Sequence, residues 1–272
     1  MFKVINKNIS LDFKKITSDF SPSFSGIVSG ICKGDLWIDN LKNPKLALAK
    51  SYSVGGFAIF GEMNNTAEIK KFEEFLRNDL FKELKAKNIN CFEFSIENNT
   101  INIDIHKLFY DKSIKTEKEF SFRKSSIINE KLNLPDGYNI YKVNYDFWNN
   151  VSKGIFQNTS FLTKRLLESW NNFDDFYNNS LAFCILYQQK VVAVILGTAM
   201  FKNYISIDIE TEKLHRCKNL AYLMTVNFVN SCIKKGLVAQ WDCVESNKAS
   251  YKLAKKAGFH FIRENIVYYF DI

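Results

Sequence analysis

Between residues 181 and 210 the chain alternates apolar runs with turns of two or three residues. Leu181–Tyr187 is followed by Gln188-Gln189-Lys190, Val191–Phe201 by Lys202-Asn203, and Tyr204–Ile209 completes the run. Turns this short pair their flanking strands as antiparallel hairpins. In the third strand Ile205, Ile207 and Ile209 alternate with Ser206, Asp208 and Glu210, so one face is buried and the other polar. The period then changes. Leu220, Leu223, Met224, Phe228 and Cys232 recur at helical spacing over about 218–235, and Lys234-Lys235-Gly236 ends that helix with cations and a glycine. A strand at Leu237–Cys243 follows. Next comes a helix capped by Ser246 or Asn247 and stopped at Gly258, and then one or two strands over Phe259–Phe270.

Upstream, Tyr138–Val143 reads as a strand, with short helices near 145–152 and 161–168 and a turn at Asn178-Asn179-Ser180. The order over 181–270 also occurs over 34–123. Leu36–Asp39, Leu46–Ala49 and Phe57–Phe60 read as a three-strand meander. Asn65 with Glu68 forms a capping box for a helix carrying Ile69, Phe72, Leu76, Leu80 and Leu84. Ile89–Ile96 is a strand, 101–109 a short helix and Glu119–Phe122 a last strand. Ser21-Pro22-Ser23 and Ser25-Gly26 mark a loop in an otherwise ambiguous stretch, 1–30. The polar segment 124–137, with Pro135-Asp136-Gly137, separates two expected domains, 1–130 and 131–272. The fold class is mixed α/β (α+β), each domain a mostly antiparallel sheet flanked by helices.

Hydrophobic residues make up 46% of the 272, which excludes a disordered chain. The net charge of +8 invites a nucleic-acid partner. Its distribution argues against one: both halves are mildly basic and the runs are pairs such as Lys234-Lys235 and Lys255-Lys256. No 18-residue apolar run and no leading apolar segment is present, so a cytoplasmic protein without a membrane partner is expected. Six cysteines without a Cys-x-x-Cys pair imply reduced thiols and no zinc site.

The chemistry concentrates at 208–221, Asp-Ile-Glu-Thr-Glu-Lys-Leu-His-Arg-Cys-Lys-Asn-Leu-Ala. A helix start offers unpaired N–H groups and a positive dipole end, which suit a diphosphate. Arg216 and Lys218 add charge, and Ala221 leaves room for close approach. A second pattern places Asn247, Ser250, Gly258 and Phe259 around the next helix. With the element order of 138–272, these residues resemble the GNAT acetyltransferase superfamily, in the branch with a long N-terminal extension. Arg216-Cys217-Lys218-Asn219-Leu220-Ala221 matches its Arg/Gln-x-x-Gly-x-Gly/Ala loop, with Asn219 in place of the first glycine. Asn is the next residue to tolerate a left-handed backbone.

The resemblance implies tandem GNAT-like folds with a degenerate N-terminal copy, whose helix start, Asn64-Asn65-Thr66-Ala67-Glu68, lacks the loop, and where Glu62 and Glu68 would repel a diphosphate. It implies acetyl-CoA as co-substrate with no metal. Ile209, Thr211, Arg216, Cys217, Lys218, Asn219, Leu220, Ala221, Asn247, Ser250 and Tyr251 are the expected contacts. It implies N-acetyl transfer to an amine by direct attack, with Glu210 as base, Asp208 beside it and Asp242 as the next candidate. Where many members carry a tyrosine acid this chain has Ala254, with Tyr251 one turn earlier. A homodimer is compatible with the reading. The competing reading is a non-catalytic acyl-CoA sensor or scaffold, which Asn219 and Ala254 keep open.

Overall fold

A computed structural model of the chain describes residues 1–4, 16–97, 104–130 and 133–272. They fall into two compact units, Met1–Glu119 with Glu264–Ile272, and Phe120–Arg263.

In the first unit, β1 (Phe2–Lys3) pairs with β2 (Gly34–Ile38), and the meander continues through β3 (Leu46–Ser51) and β4 (Phe57–Gly61), all antiparallel. The expected loop around Ser21–Gly26 is instead a helix, α1 (Pro22–Val28). Pro22 sits in its first turn, where a fixed φ favours the helix and the missing N–H costs nothing. Ser25 and Gly26 are buried small residues, so the polar letters that read as a turn are a packing face. Asn65 caps α2 (Thr66–Phe75) by accepting from the Glu68 N–H at 2.9 Å; Glu68 reaches back to the N–H of Asn64, one residue short of a capping box. A π turn at Leu76–Leu80 leads into α3 (Phe81–Ala86). The crossover makes β5 (Cys91–Ile96) parallel to β4. The short helix expected over 101–109 is α4 (Ile105–Leu108); residues 101–103 lie outside the described ones. Strand β6 (Lys115–Lys124) then leads out of the unit. The core is aromatic: Phe57, Phe92 and Phe94 pack with Phe270, which comes from the far end of the chain.

The second unit has the strand order β6-β11-β10-β9-β8-β7. After β7 (Tyr138–Lys142) come α5 (Tyr145–Ser152) and α6 (Ser160–Ser169). A third helix, α7 (Phe173–Asn179), stands where the sequence suggested a turn at 178–180. Asn172 caps it, accepting from the Asp175 N–H, and Asp174 and Asp175 occupy the dipole-favoured first turn. Strands β8 (Ala182–Tyr187) and β9 (Lys190–Phe201) meet at Gln188-Gln189, both with positive φ, as a two-residue hairpin demands. Strand β9 is buried along nearly its whole length because α6 packs on it, as does α8 (Leu220–Lys234). Antiparallel β10 (Tyr204–Thr211) returns beside it. The helix α8 crosses to β11 (Val238–Val244), α9 (Lys248–Lys256) follows, and β12 (His260–Asp271) ends the chain. From Val267 onward β12 pairs antiparallel with β5, in the first unit.

Candidate active site

Strands β10 and β11 are parallel neighbours for only three residues, Tyr204–Ser206 against Val238–Gln240. Beyond Ser206, β10 stays paired with β9 as far as Thr211↔Ala193. The two parallel strands therefore part, and the edge of β10 facing β11 is left without a ladder. A bulge accompanies the parting: register passes from Ser206↔Ala199 to Ile207↔Gly197, which leaves Thr198 unpaired.

A cavity of about 650 Å³ opens at this gap. Part of its lining is apolar, with Ile209, Leu220, Trp241 and Leu253; part is polar, with Glu210, His215, Arg216, Asn219 and Lys256. Such a volume suits one small organic ligand. Much of the polar lining comes from a loop wound through two left-handed residues, Cys217 at φ 60° and Asn219 at φ 61°. Asn219 is the N-cap of α8, yet its side chain caps nothing there; its Oδ1 accepts from Lys256 Nζ at 2.9 Å. The first turn of α8 thus keeps its N–H groups without a side-chain acceptor, and two cations, Arg216 and Lys256, stand at the same mouth. Thr211 lines the cavity, and its hydroxyl is buried with no hydrogen-bond partner among the described residues. An unpaired buried hydroxyl costs free energy until something polar reaches it. The uncapped helix start and the two cations fit an anionic ligand.

The two carboxylates on the polar face of β10 are held from outside the strand. Arg165, on α6, donates from Nη1 to Asp208 Oδ2 at 2.6 Å and from Nη2 to Glu210 Oε2. Glu210 also lines the cavity, where Arg216 Nη2 lies 4.0 Å from its Oε1. Arg216 itself donates from Nε to the Thr211 carbonyl at 2.9 Å. Asp242 lies on the same sheet face, since Ser206 registers with Gln240 and side chains alternate. It does not line the cavity. The Gln240 amide donates to both of its oxygens at 3.0 and 3.2 Å, and Arg123 donates to Gln240 Oε1 at 2.9 Å.

At the helix α9, Asn247 is the N-cap and accepts from the Ser250 N–H at 3.1 Å, while Ser250 Oγ accepts from Trp241 Nε1 at 2.8 Å. Both residues face the cavity. Tyr251 does not; its ring stands edge-on to Phe120 and Phe122 in the core. Lys218 is exposed and outside the lining, and Ala254 is fully buried. The cavity thus gathers Ile209, Glu210, Thr211, Arg216, Cys217, Asn219, Leu220, Ala221, Asn247 and Ser250, and leaves out Asp208, Lys218, Asp242 and Tyr251. It adds His215, Tyr222, Trp241, Ala249, Leu253 and Lys256. Tyr222 is held to Glu130 by its hydroxyl, and burial together with that bond pushes its pKa up to about 12. Among the described residues, no group of three or more His, Cys, Asp or Glu side chains is placed to hold a metal ion, and no helix is long and apolar enough to cross a membrane.

Over 252 residues the chain is 25% identical to the uncharacterized N-acetyltransferase YdfB of Bacillus subtilis (strain 168), covering 92% of this chain and 91% of that protein. Among solved structures it is similar in fold to a GCN5-related N-acetyltransferase-like protein from Streptococcus suis 89/1591. The TM-score is 0.59 with 19% identity, over 87% of this chain and 88% of that one. A tandem GNAT protein from the clavulanic acid biosynthesis pathway superposes with a TM-score of 0.56 at 8% identity, over 97% of this chain and 92% of that one. The sequence profile of the GNAT acetyltransferase family matches residues 14–268, nearly the entire length, and the chain belongs to that family.

Proposed function

We propose that the second unit transfers the acetyl group of acetyl-CoA to a primary amine by direct attack within a ternary complex. The observation that carries this reading is the cavity at the parted strands. It gathers in one space a loop with two left-handed residues, a helix start without a side-chain cap and a carboxylate, Glu210. The diphosphate lies against the α8 N–H groups with Arg216 and Lys256. The pantetheine arm lies against the apolar lining, Trp241 and Leu253, with Asn247 as a polar stop.

The amine nitrogen attacks the thioester carbonyl carbon; the C–N bond forms, the C–S bond breaks and CoA leaves as thiolate. The N–H groups on the free edge of β10 stabilise the carbonyl oxygen as it gains charge. Glu210 takes the proton that the amine gives up, directly or through one water. Neither Tyr251, which is packed in the core, nor Tyr222, whose hydroxyl is committed to Glu130, supplies a proton to sulfur. The thiolate needs no dedicated donor, because a thiol titrates near about pH 8.5 and is a tolerable leaving group.

The test has two steps. Calorimetric titration with acetyl-CoA should give binding that Arg216→Glu abolishes. Release of CoA thiol should then be followed with acetyl-CoA and a panel of primary amines: amino acids, diamines, aminoglycosides and short peptides. Glu210→Gln should bind acetyl-CoA as the parent does and lose turnover. Absence of acetyl-CoA binding by the parent chain would overturn the reading.

A further inference from the structure

A carboxylate on an unladdered strand edge has nothing in its own strand to hold it. Glu210 stands there, half-exposed, two residues from a second carboxylate of the same charge. Left alone, the pair would repel and the Glu210 side chain would sample several rotamers. The helix α6 supplies what the strand lacks. Leu162 and Leu166 are fully buried and seat the helix, and Arg165 projects from the edge of that buried stripe. Its two terminal nitrogens go to different carboxylates, Nη1 to Asp208 and Nη2 to Glu210. The guanidinium is planar and rigid, so fixing one nitrogen on Asp208 fixes where the other meets Glu210. Phe161, one turn back on α6, lies under the guanidinium at 5.3 Å.

We propose that Arg165 is the positioning residue of the transfer site: its fork, anchored on Asp208, holds the Glu210 carboxylate at the strand gap where the amine must be deprotonated. This deepens the reading of Glu210 as base and rests on it. Asp208 then has a role of its own, as the anchor of the fork. Among the described residues, three charged groups face Glu210: Arg165 from α6, Asp208 from its own strand, and Arg216 from the loop at 4.0 Å. Of these, Arg165 makes the direct contact, so its removal should be the change felt most by the Glu210 proton.

Four variants decide the matter: Arg165→Met, Arg165→Lys, Asp208→Asn and Glu210→Gln. Each is measured for acetyl-CoA affinity by calorimetry and for kcat against pH with the amine of highest turnover. Arg165→Met should bind acetyl-CoA as the parent does but lose kcat by about a hundredfold, the scale of a catalytic group displaced by an ångström. The acid limb of its profile should move to higher pH, because a carboxylate that loses a contacting cation holds its proton more tightly. Arg165→Lys restores the charge without the fork, so the limb should return while much of the kcat loss remains. Asp208→Asn should show a smaller loss of kcat in the same direction. It also stands in for Arg165→Met if that variant does not fold. A parent-like kcat and pH profile in Arg165→Met and Asp208→Asn, beside an inactive Glu210→Gln, would overturn the positioning role and leave the base intact. An active Glu210→Gln would instead overturn the base, and the positioning role with it.

Discussion

Asn219 stands where the loop that the sequence resembles has a glycine, and its backbone shows what the position demands. It sits at φ 61° and ψ 12°, in the left-handed well where an ordinary residue is disfavoured by about 1–2 kcal/mol and Asn by less. Asn219→Val should therefore lower stability by about 1–2 kcal/mol and weaken acetyl-CoA binding, whereas Asn219→Gly should keep both; thermal melts and calorimetry on the pair check this. A second prediction concerns Tyr222. Its folded pKa, about 12, lies above the usual value of 10 because the ring is buried and its hydroxyl bonds Glu130. A raised pKa adds stability that is complete below pH 10 and lost as pH rises towards 12. Denaturation midpoints between pH 9 and 12 should fall more steeply in the parent than in Tyr222→Phe. Both residues stand in the sequence next to readable motifs, and the loop was legible for that reason. Arg165 was not. On an amphipathic helix an arginine three residues from Leu162 and one from Leu166 reads as a solvated flank, and nothing local reveals that its partners lie 43 and 45 residues away.

Elements were legible where a period ran long enough. The strands β8, β9 and β10 and the helix α8 declared themselves because their apolar residues kept one spacing through the whole element. The helices α1 and α7 did not, being seven residues each and built from Ser, Gly, Asn and Asp that elsewhere mark turns. Nor was the bulge legible, although the strand gap at the cavity follows directly on it. Gly197 shows what that bulge requires. A methyl group there would meet Ile205 Cδ1 at 2.3 Å and Ser180 Oγ at 2.4 Å. Its carbonyl also accepts from Trp170 Nε1 at 2.9 Å and Ser180 Oγ at 2.7 Å, so the peptide cannot shift to make room without breaking bonds inside the core. Gly197→Ala should destabilise by about 1–3 kcal/mol, as overpacking of a filled core does. Because the strain lies at the parting of β10 from β11, it should weaken acetyl-CoA binding too, and denaturant unfolding with calorimetry on one preparation reads both.

At the scale of the molecule, sequence order and structural membership disagree in one respect. The order strand-strand-strand-helix-strand-helix-strand runs twice, over β2–β6 and β8–β12, and that repetition was readable. What could not be read is that the last strand of each run serves the other unit. From Phe120 onward β6 lies in the second unit beside β11, while Glu264–Ile272 lies in the first, with Val267–Asp271 paired to Ser95–Cys91 of β5. Strand pairing depends on what lies alongside in space, and a local pattern of alternating residues carries no address. The consequence is physical. Phe270 is 2% exposed and packs against Phe92, Phe94 and Phe109, so the core of the first unit is closed by the end of the chain. Removing residues 264–272 would strip β5 of that ladder and open the aromatic core. A chain ending at Arg263 should lose hydrogen-exchange protection along β3, β4 and β5. Phe270→Ala in the full chain should cost about 3–5 kcal/mol, the usual toll for deleting a buried phenylalanine. For the same reason a fragment of residues 1–130 should fail to fold, and supplying 131–272 in trans should restore its protection. Protection of the 1–130 fragment on its own would show that the exchanged strand is an ornament of the first unit rather than part of its core.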